Sequence, residues 1–292
     1  MIKAISREKT LAIKITSDRM IDLSNEELKE LNISTMSCFV NLAGKSYSDL
    51  EDIFPEDVFT YFEEHNELAK TAAKSPELYY AFFEPFIKNG DSIIHFAASS
   101  GISSICENAK IAGKQLGNVF VVDTLTLSNG IALLAKYAIE LIRQGEKDTK
   151  KVYELCLAKR DKIRGSFIIE TLDCLYKGGR CSSMQLFGAN LLKIRPVIAM
   201  NEKGQMQIRE KYRGKYLSAV ARYIAHTFEK FPNPDLSQLY LLHSCKNDTM
   251  NDFLLEEIAK YHKFDKINFN ACSCNCAIHS GRGAMGMFFC EK

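Results

Sequence analysis

Between Leu11 and Ile163 short apolar runs alternate with helix-length segments, and this rhythm constrains the fold more than any other feature of the chain. Leu11 to Thr16 reads as a strand, and Ser24 with Glu27 forms a capping-box pattern for a helix ending near Asn32. Ile33 to Val40 reads as a second strand, residues 41–49 as a polar turn, and Pro55 as the first turn of a helix carrying Val58, Phe59 and Phe62. Ser75-Pro76 opens another helix, which Asn89-Gly90 closes. Ile93 to Ala97 is a buried strand that runs into Ser99-Ser100-Gly101 and a helix from Ile102 to Gly117. Val119 to Val122 is the next strand, and helices over residues 128–143 and 148–163 complete this half. Such alternation predicts a mostly parallel sheet, with its ligand crevice at the carboxyl ends of the strands.

The second half changes rhythm. Lys193 to Met200 and Gln205 to Tyr212 flank Asn201-Glu202-Lys203-Gly204, a hairpin turn that brings in antiparallel pairing. A helix from Lys215 to Lys230, a strand from Leu239 to Leu242 and a helix from Asn251 to Tyr261 follow. At 292 residues the chain exceeds the usual size of one core. The expectation is an α/β protein: residues 1–163 form an N-terminal α/β domain with a mostly parallel sheet, and residues 164–292 an α+β domain with a mixed or antiparallel sheet. Between them the run from Phe167 to Pro196 reads as strand, short helix, glycine turn, second helix and strand. Thr171 is placed to cap the first of these helices, and Gly178 to stop it. Gly178-Gly179-Arg180 brings backbone N–H groups and a guanidinium together, which suits a carboxylate or phosphate; a helix C-cap followed by a surface arginine fits the same residues.

Composition excludes several classes. A net charge of +2, without a basic tract interleaved with aromatics, argues against nucleic acid. Lys14 interrupts the first apolar run and Lys136 and Glu140 the longest one, so neither a signal-peptide core nor an integral membrane segment is expected. The ten cysteines are dispersed and read as reduced thiols, which gives a soluble, cytoplasmic protein as the expectation.

Three constellations carry possible chemistry. Ser99, Ser100, Ser103 and Ser104 lie on a strand-to-helix turn, where they can meet an anionic head group or simply cap the helix. Thr71 and His279 each fall in an expected loop, and the histidine can donate to a carboxylate or pack as a neutral side chain. Cys272, Cys274 and Cys276 alternate as on one face of a strand. That is poor geometry for zinc, so small buried hydrophobes are the preferred reading and no metal is expected. No nucleophile elbow, Walker loop, zincin helix or dinucleotide fingerprint is present, so a binding protein without catalytic residues fits better than an enzyme. The alternative is a phosphoryl- or acyl-transfer enzyme using Asp123 and the Gly-Gly-Arg turn.

ETLDCLYKGGRCSS followed by LLKIRPVI resembles the centre of the DegV family, with its Thr-Leu-x-x-Leu-x-x-Gly-Gly-Arg turn and following Lys-Pro strand. The likeness runs over nearly the whole chain: DLSNEELKELNIS, Tyr47-Ser48-Asp49, FAASSGISSICENAKIAG, VFVVDTLTLSNGIALLAKYAIELIRQG and IHSGRGAMGMFF are each similar to a family segment. The resemblance implies a long-chain fatty acid in a tunnel between two domains, with its carboxylate held by Thr71, Ser103 and His279, and Ser100 as a near alternative to Ser103. It also implies delivery to a fatty acid kinase, with Arg180 in the Gly-Gly-Arg turn and Arg213 facing the kinase or the phosphate. No cofactor other than the bound acid is implied. Ala72, Ala73, Ser104, Ile105 and Arg282 depart from the family pattern. Burying about fourteen methylenes at roughly 0.8 kcal/mol each supplies on the order of 11 kcal/mol before ordering costs. A few neutral hydroxyls then suffice for the head group.

Overall fold

The computed structural model describes residues 12–180, 194–245 and 248–292. Strand β1 (Ile13–Asp18) leads through a 3-10 turn over Arg19–Ile21 to helix α1 (Asn25–Glu30). The expected capping box forms: Glu27 N donates to Ser24 Oγ and Ser24 N to Glu27 Oε2, both at 3.1 Å. The chain continues with β2 (Ser34–Met36), β3 (Phe39–Leu42), β4 (Lys45–Ser48), α2 (Pro55–His65), β5 (Lys70–Ala72), α3 (Pro76–Lys88), β6 (Ser92–Ala97), α4 (Ile105–Leu116), β7 (Val119–Asp123), α5 (Asn129–Arg143) and α6 (Thr149–Arg160). The second half holds β8 (Ile163–Ile168), α7 (Asp173–Lys177), β9 (Ile194–Met200), β10 (Met206–Arg213), α8 (Tyr216–Lys230), β11 (Leu239–His243), α9 (Asp248–Ala259), β12 (Ile267–Ala271), α10 (Cys274–Ser280) and β13 (Met285–Cys290).

The first sheet has the order β2-β1-β6-β7 with every pair parallel. All six residues of β6 are buried, as a central strand covered on both faces requires. The second sheet, β10-β9-β8-β13-β11-β12, is antiparallel except for β11 with β12, so it is mixed. Its two faces feed two cores. Along β11 and β13, Tyr240, Leu242 and Phe288 join the larger core, which continues into the parallel sheet. The alternate residues Leu239, Leu241, Met285, Met287 and Phe289 join a smaller one under α8 and α9. Among the described residues no helix is long and apolar enough to cross a membrane.

Several expectations are corrected. The apolar run Ile33 to Val40 is two strands in different sheets, because the chain leaves the parallel sheet at Ser37-Cys38 and β3 pairs antiparallel with β4 and β5. The segment read as a polar turn contains a hairpin, closed by Ala43 and Gly44 at φ 50° and 76°. Thr71 lies in a strand rather than a loop. Leu172 occupies the N-cap of α7 without a side-chain bond, so Thr171 does not cap it. The cysteine run is not a strand: Cys272 follows β12, while Cys274 and Cys276 belong to α10, and so does His279. Leu11 and Lys193, expected to begin strands, and the second helix of the central run lie outside the described residues.

Candidate functional site

A cavity of about 250 Å³ lies between the carboxyl ends of the parallel strands and the inner face of the mixed sheet. Met20 after β1, Ile102 to Ile105 after β6 and Leu127 after β7 line one side; Phe167, Leu242, Gly286 and Phe288 line the other. Polar groups reach it from three places: Thr71 on β5, Ser103 and Ser104 ahead of α4, and Asn275 and His279 on α10. The parallel sheet therefore presents its loops where α/β topology predicts a crevice.

His279 Nε2 lies 3.3 Å from Thr71 Oγ1, joining residues 208 apart in the chain. The imidazole is buried, and burial, followed by the nearby Arg180 guanidinium, pushes its pKa down to about 4. It is neutral at pH 7, with one nitrogen donating and the other accepting. Among the described residues its Nδ1 has no hydrogen-bond partner, and it faces Gly178, where a Cβ would come to 2.3 Å from it. Gly178 thus does more than end α7: the missing side chain lets the Gly-Gly-Arg turn close on the histidine. Arg180 lines the cavity with its Nη1 donating to Gly178 O at 2.8 Å.

Short helix α10 owes its position to two buried carboxylates of the N-terminal half, which sequence reasoning did not single out. Asp49 accepts from Cys274 N at 2.8 Å and Asn275 N at 3.0 Å. Asp22 accepts from Ser273 N at 2.8 Å and Ser128 Oγ at 2.6 Å. Ser273 then caps the helix by accepting from Cys276 N. Burial raises both carboxyls, Asp22 to about 6, against the lowering effect of these hydrogen bonds. Asn275 was also missed, although it stands four residues before His279 and so on the same helical face.

The expected residues are only partly brought together. Thr71, Ser103, Arg180 and His279 line the cavity. Ser100 does not: it is exposed, its Oγ donates to Asp123 Oδ2 at 2.5 Å and its N to Oδ1 at 3.1 Å. Asp123 is held by Ser100 and by Leu125 N, away from Arg180, so the alternative transfer site is not assembled in the cavity. Arg213 ends the edge strand β10, exposed and outside the cavity lining. Arg282 meets Glu56 and Glu63 of α2 at 2.8 Å and stacks over Phe59, so its charge is answered outside the cavity. Burial, first, and Asp22 and Asp49, next, push the Cys272 thiol well above its ordinary pKa. No cluster of three or more potential metal ligands occurs among the described residues.

Fold and site define an α/β chain with a mostly apolar cavity that a few neutral donors and one arginine approach. The chain belongs to the DegV family, whose model, described as an uncharacterised protein of the DegV family, matches residues 12–292. It is 29% identical over 290 residues to a DegV domain-containing protein of Caldanaerobacter subterraneus subsp. tengcongensis, covering 96% of this chain and 99% of that one. A Thermus thermophilus structure described as showing fatty acid binding of a DegV family protein superposes with a TM-score of 0.88 at 24% identity, over 97% of this chain and 100% of the other. Bacillus subtilis DegV, described as a fatty acid binding protein, superposes at 0.83 with 24% identity and the same coverage. Both share this fold.

Proposed function

We propose that this protein binds one long-chain fatty acid in the cavity, between residues 1–163 and 164–292, and presents it in the cytoplasm to a fatty acid kinase without turnover of its own. The carrying observation is the buried, neutral His279 hydrogen-bonded to Thr71 at a cavity whose remaining wall is mostly apolar. Thr71 and Ser103 hydroxyls and His279 Nε2 supply donors for a carboxylate, and the amino end of α4 adds its dipole. An arriving carboxylate favours the imidazolium, so binding raises the His279 pKa and draws in a proton at mildly acidic pH. The space suits a slim ligand, being near the lower end, about 300 Å³, of small-molecule sites. Two family relatives of the same fold are described as fatty acid binding, which supports the reading.

Native mass spectrometry of gently purified protein tests it. A stoichiometric fatty acid is expected, and Ser103→Ala should weaken its retention by the loss of one charge-assisted hydrogen bond, roughly 1.5 to 3 kcal/mol. Protein that neither retains nor takes up a fatty acid sinks the proposal.

A further inference from the structure

The inner face of the mixed sheet lacks side chains at two positions. Strand register sets Leu242, Gly286 and Phe167 in one row across β11, β13 and β8, with Gly286 as the gap between two cavity-lining side chains. Two residues further along β13, Phe288 stands opposite Gly165 of β8. One ring takes up both gaps. A Cβ on Gly165 would lie 2.6 Å from Phe288 Cδ1 and 2.8 Å from Cε1, and one on Gly286 would lie 2.9 Å from Cε2. Neither glycine has a positive φ, so space rather than backbone conformation is what requires them.

The ring also stands at a boundary. Ala284, just ahead of β13, and Gly286 and Phe288 on it line the cavity in succession, so Phe288 lies about 7 Å further along the strand than Gly286, on the side away from α10. Gly165 borders a different space, an open cleft of about 1130 Å³, together with Thr126 and Ser166. Their chain neighbours Leu127 and Phe167 face the cavity. The buried Phe288 ring, a lining residue of the cavity seated on Gly165 of the cleft, therefore stands between the two spaces.

We infer that Phe288, seated on Gly165 and Gly286, is the wall against which the methyl end of the ligand stops, and so sets the acyl length the protein accepts. The inference rests on the fatty acid reading proposed above. A methyl added at either glycine lifts the ring into the cavity and shortens the space; truncating the ring joins the cavity to the cleft and lengthens it. Each methylene that loses its place costs about fourfold in affinity.

The test offers the full chain an equimolar mixture of saturated acids from lauric to arachidic and reads the retained masses by native mass spectrometry. Wild type should retain a narrow set of lengths. Gly286→Ala should move that set shorter by about two carbons, and Phe288→Ala should move it longer. Phe288→Leu, which leaves the backbone and both glycines alone, should also move it longer and carries the test if Gly286→Ala does not fold. Ser103→Ala should weaken all lengths alike, which separates the head group from the wall. The same set of lengths in wild type and the Phe288 variants overturns the inference while leaving the fatty acid reading intact. A wild type that retains no acid overturns both.

Discussion

Replacing His279 by Gln gives a pH-dependent change in stability whose sign and size follow from burial. In the unfolded chain the imidazole takes up a proton below about 6.5, whereas in the fold it stays neutral down to about 4. Between these values the unfolded state binds more protons, so the histidine's contribution falls as the pH falls. At ~1.4 kcal/mol per pH unit the loss amounts to about 3 kcal/mol, complete once the pH reaches the folded value. Glutamine keeps a polar group toward Thr71 and cannot titrate. Urea unfolding of both proteins through this pH window should show wild type losing stability relative to His279→Gln as acid is added. Asp22→Asn is the control of opposite sign. Asp22 titrates near 3.8 unfolded and about 6 in the fold, so its contribution is present below the lower value and is lost as the pH rises through the upper one. The difference between wild type and Asp22→Asn should therefore move by about 3 kcal/mol the other way. Curves for wild type and His279→Gln that stay parallel across the window would refute the buried neutral histidine.

Asp49→Ala should destabilise the protein by about 2 to 4 kcal/mol in urea unfolding, because it leaves two buried N–H groups of α10 without acceptors; a loss below about 1 kcal/mol would show that water or another group replaces it. Arg282→Ala should cost no more than about 1 kcal/mol, since its carboxylate partners are mostly exposed, and fatty acid retention should be unchanged. Arg213→Ala should likewise retain its ligand but lower acyl phosphate formation with a cognate kinase by about tenfold or more, because an arginine facing a transferred phosphoryl group acts in the transition state. Equal transfer rates with equally loaded proteins would remove Arg213 from delivery.

What could be read in the sequence was what local chemistry decides. The Ser24 and Glu27 box, the Pro55 start and the hairpin at Asn201 to Gly204 each form from residues adjacent in the chain, and each stands as expected. The misread segments depend on distant partners. Ile33 to Val40 looks like one strand because an apolar run does not say which sheet its ends join. The three-residue strand with Thr71 exists through pairing with β3, not through its own pattern. Alternating cysteines gave the period of a strand, yet α10 forms because Asp22 and Asp49 hold its first amide groups. For the candidate site, Thr71, Ser103 and His279, which line the cavity, were named through resemblance; Asp22 and Asp49 lie in segments that carry the same resemblance, but their hold on α10, like the place of Asn275, became visible only when the halves were folded together.

The attachment of α10 to Asp22 and Asp49 also orders events in time. Its donors meet acceptors 225 and 251 residues earlier in the chain. Synthesis is vectorial, so a nascent chain carries both acceptors and most of the apolar wall long before His279 leaves the ribosome. Until then Thr71 has no histidine partner and the cavity has no β13 wall. A partly made chain therefore lacks a complete cavity, and enclosure of that space becomes a property of molecules whose last strand is in place.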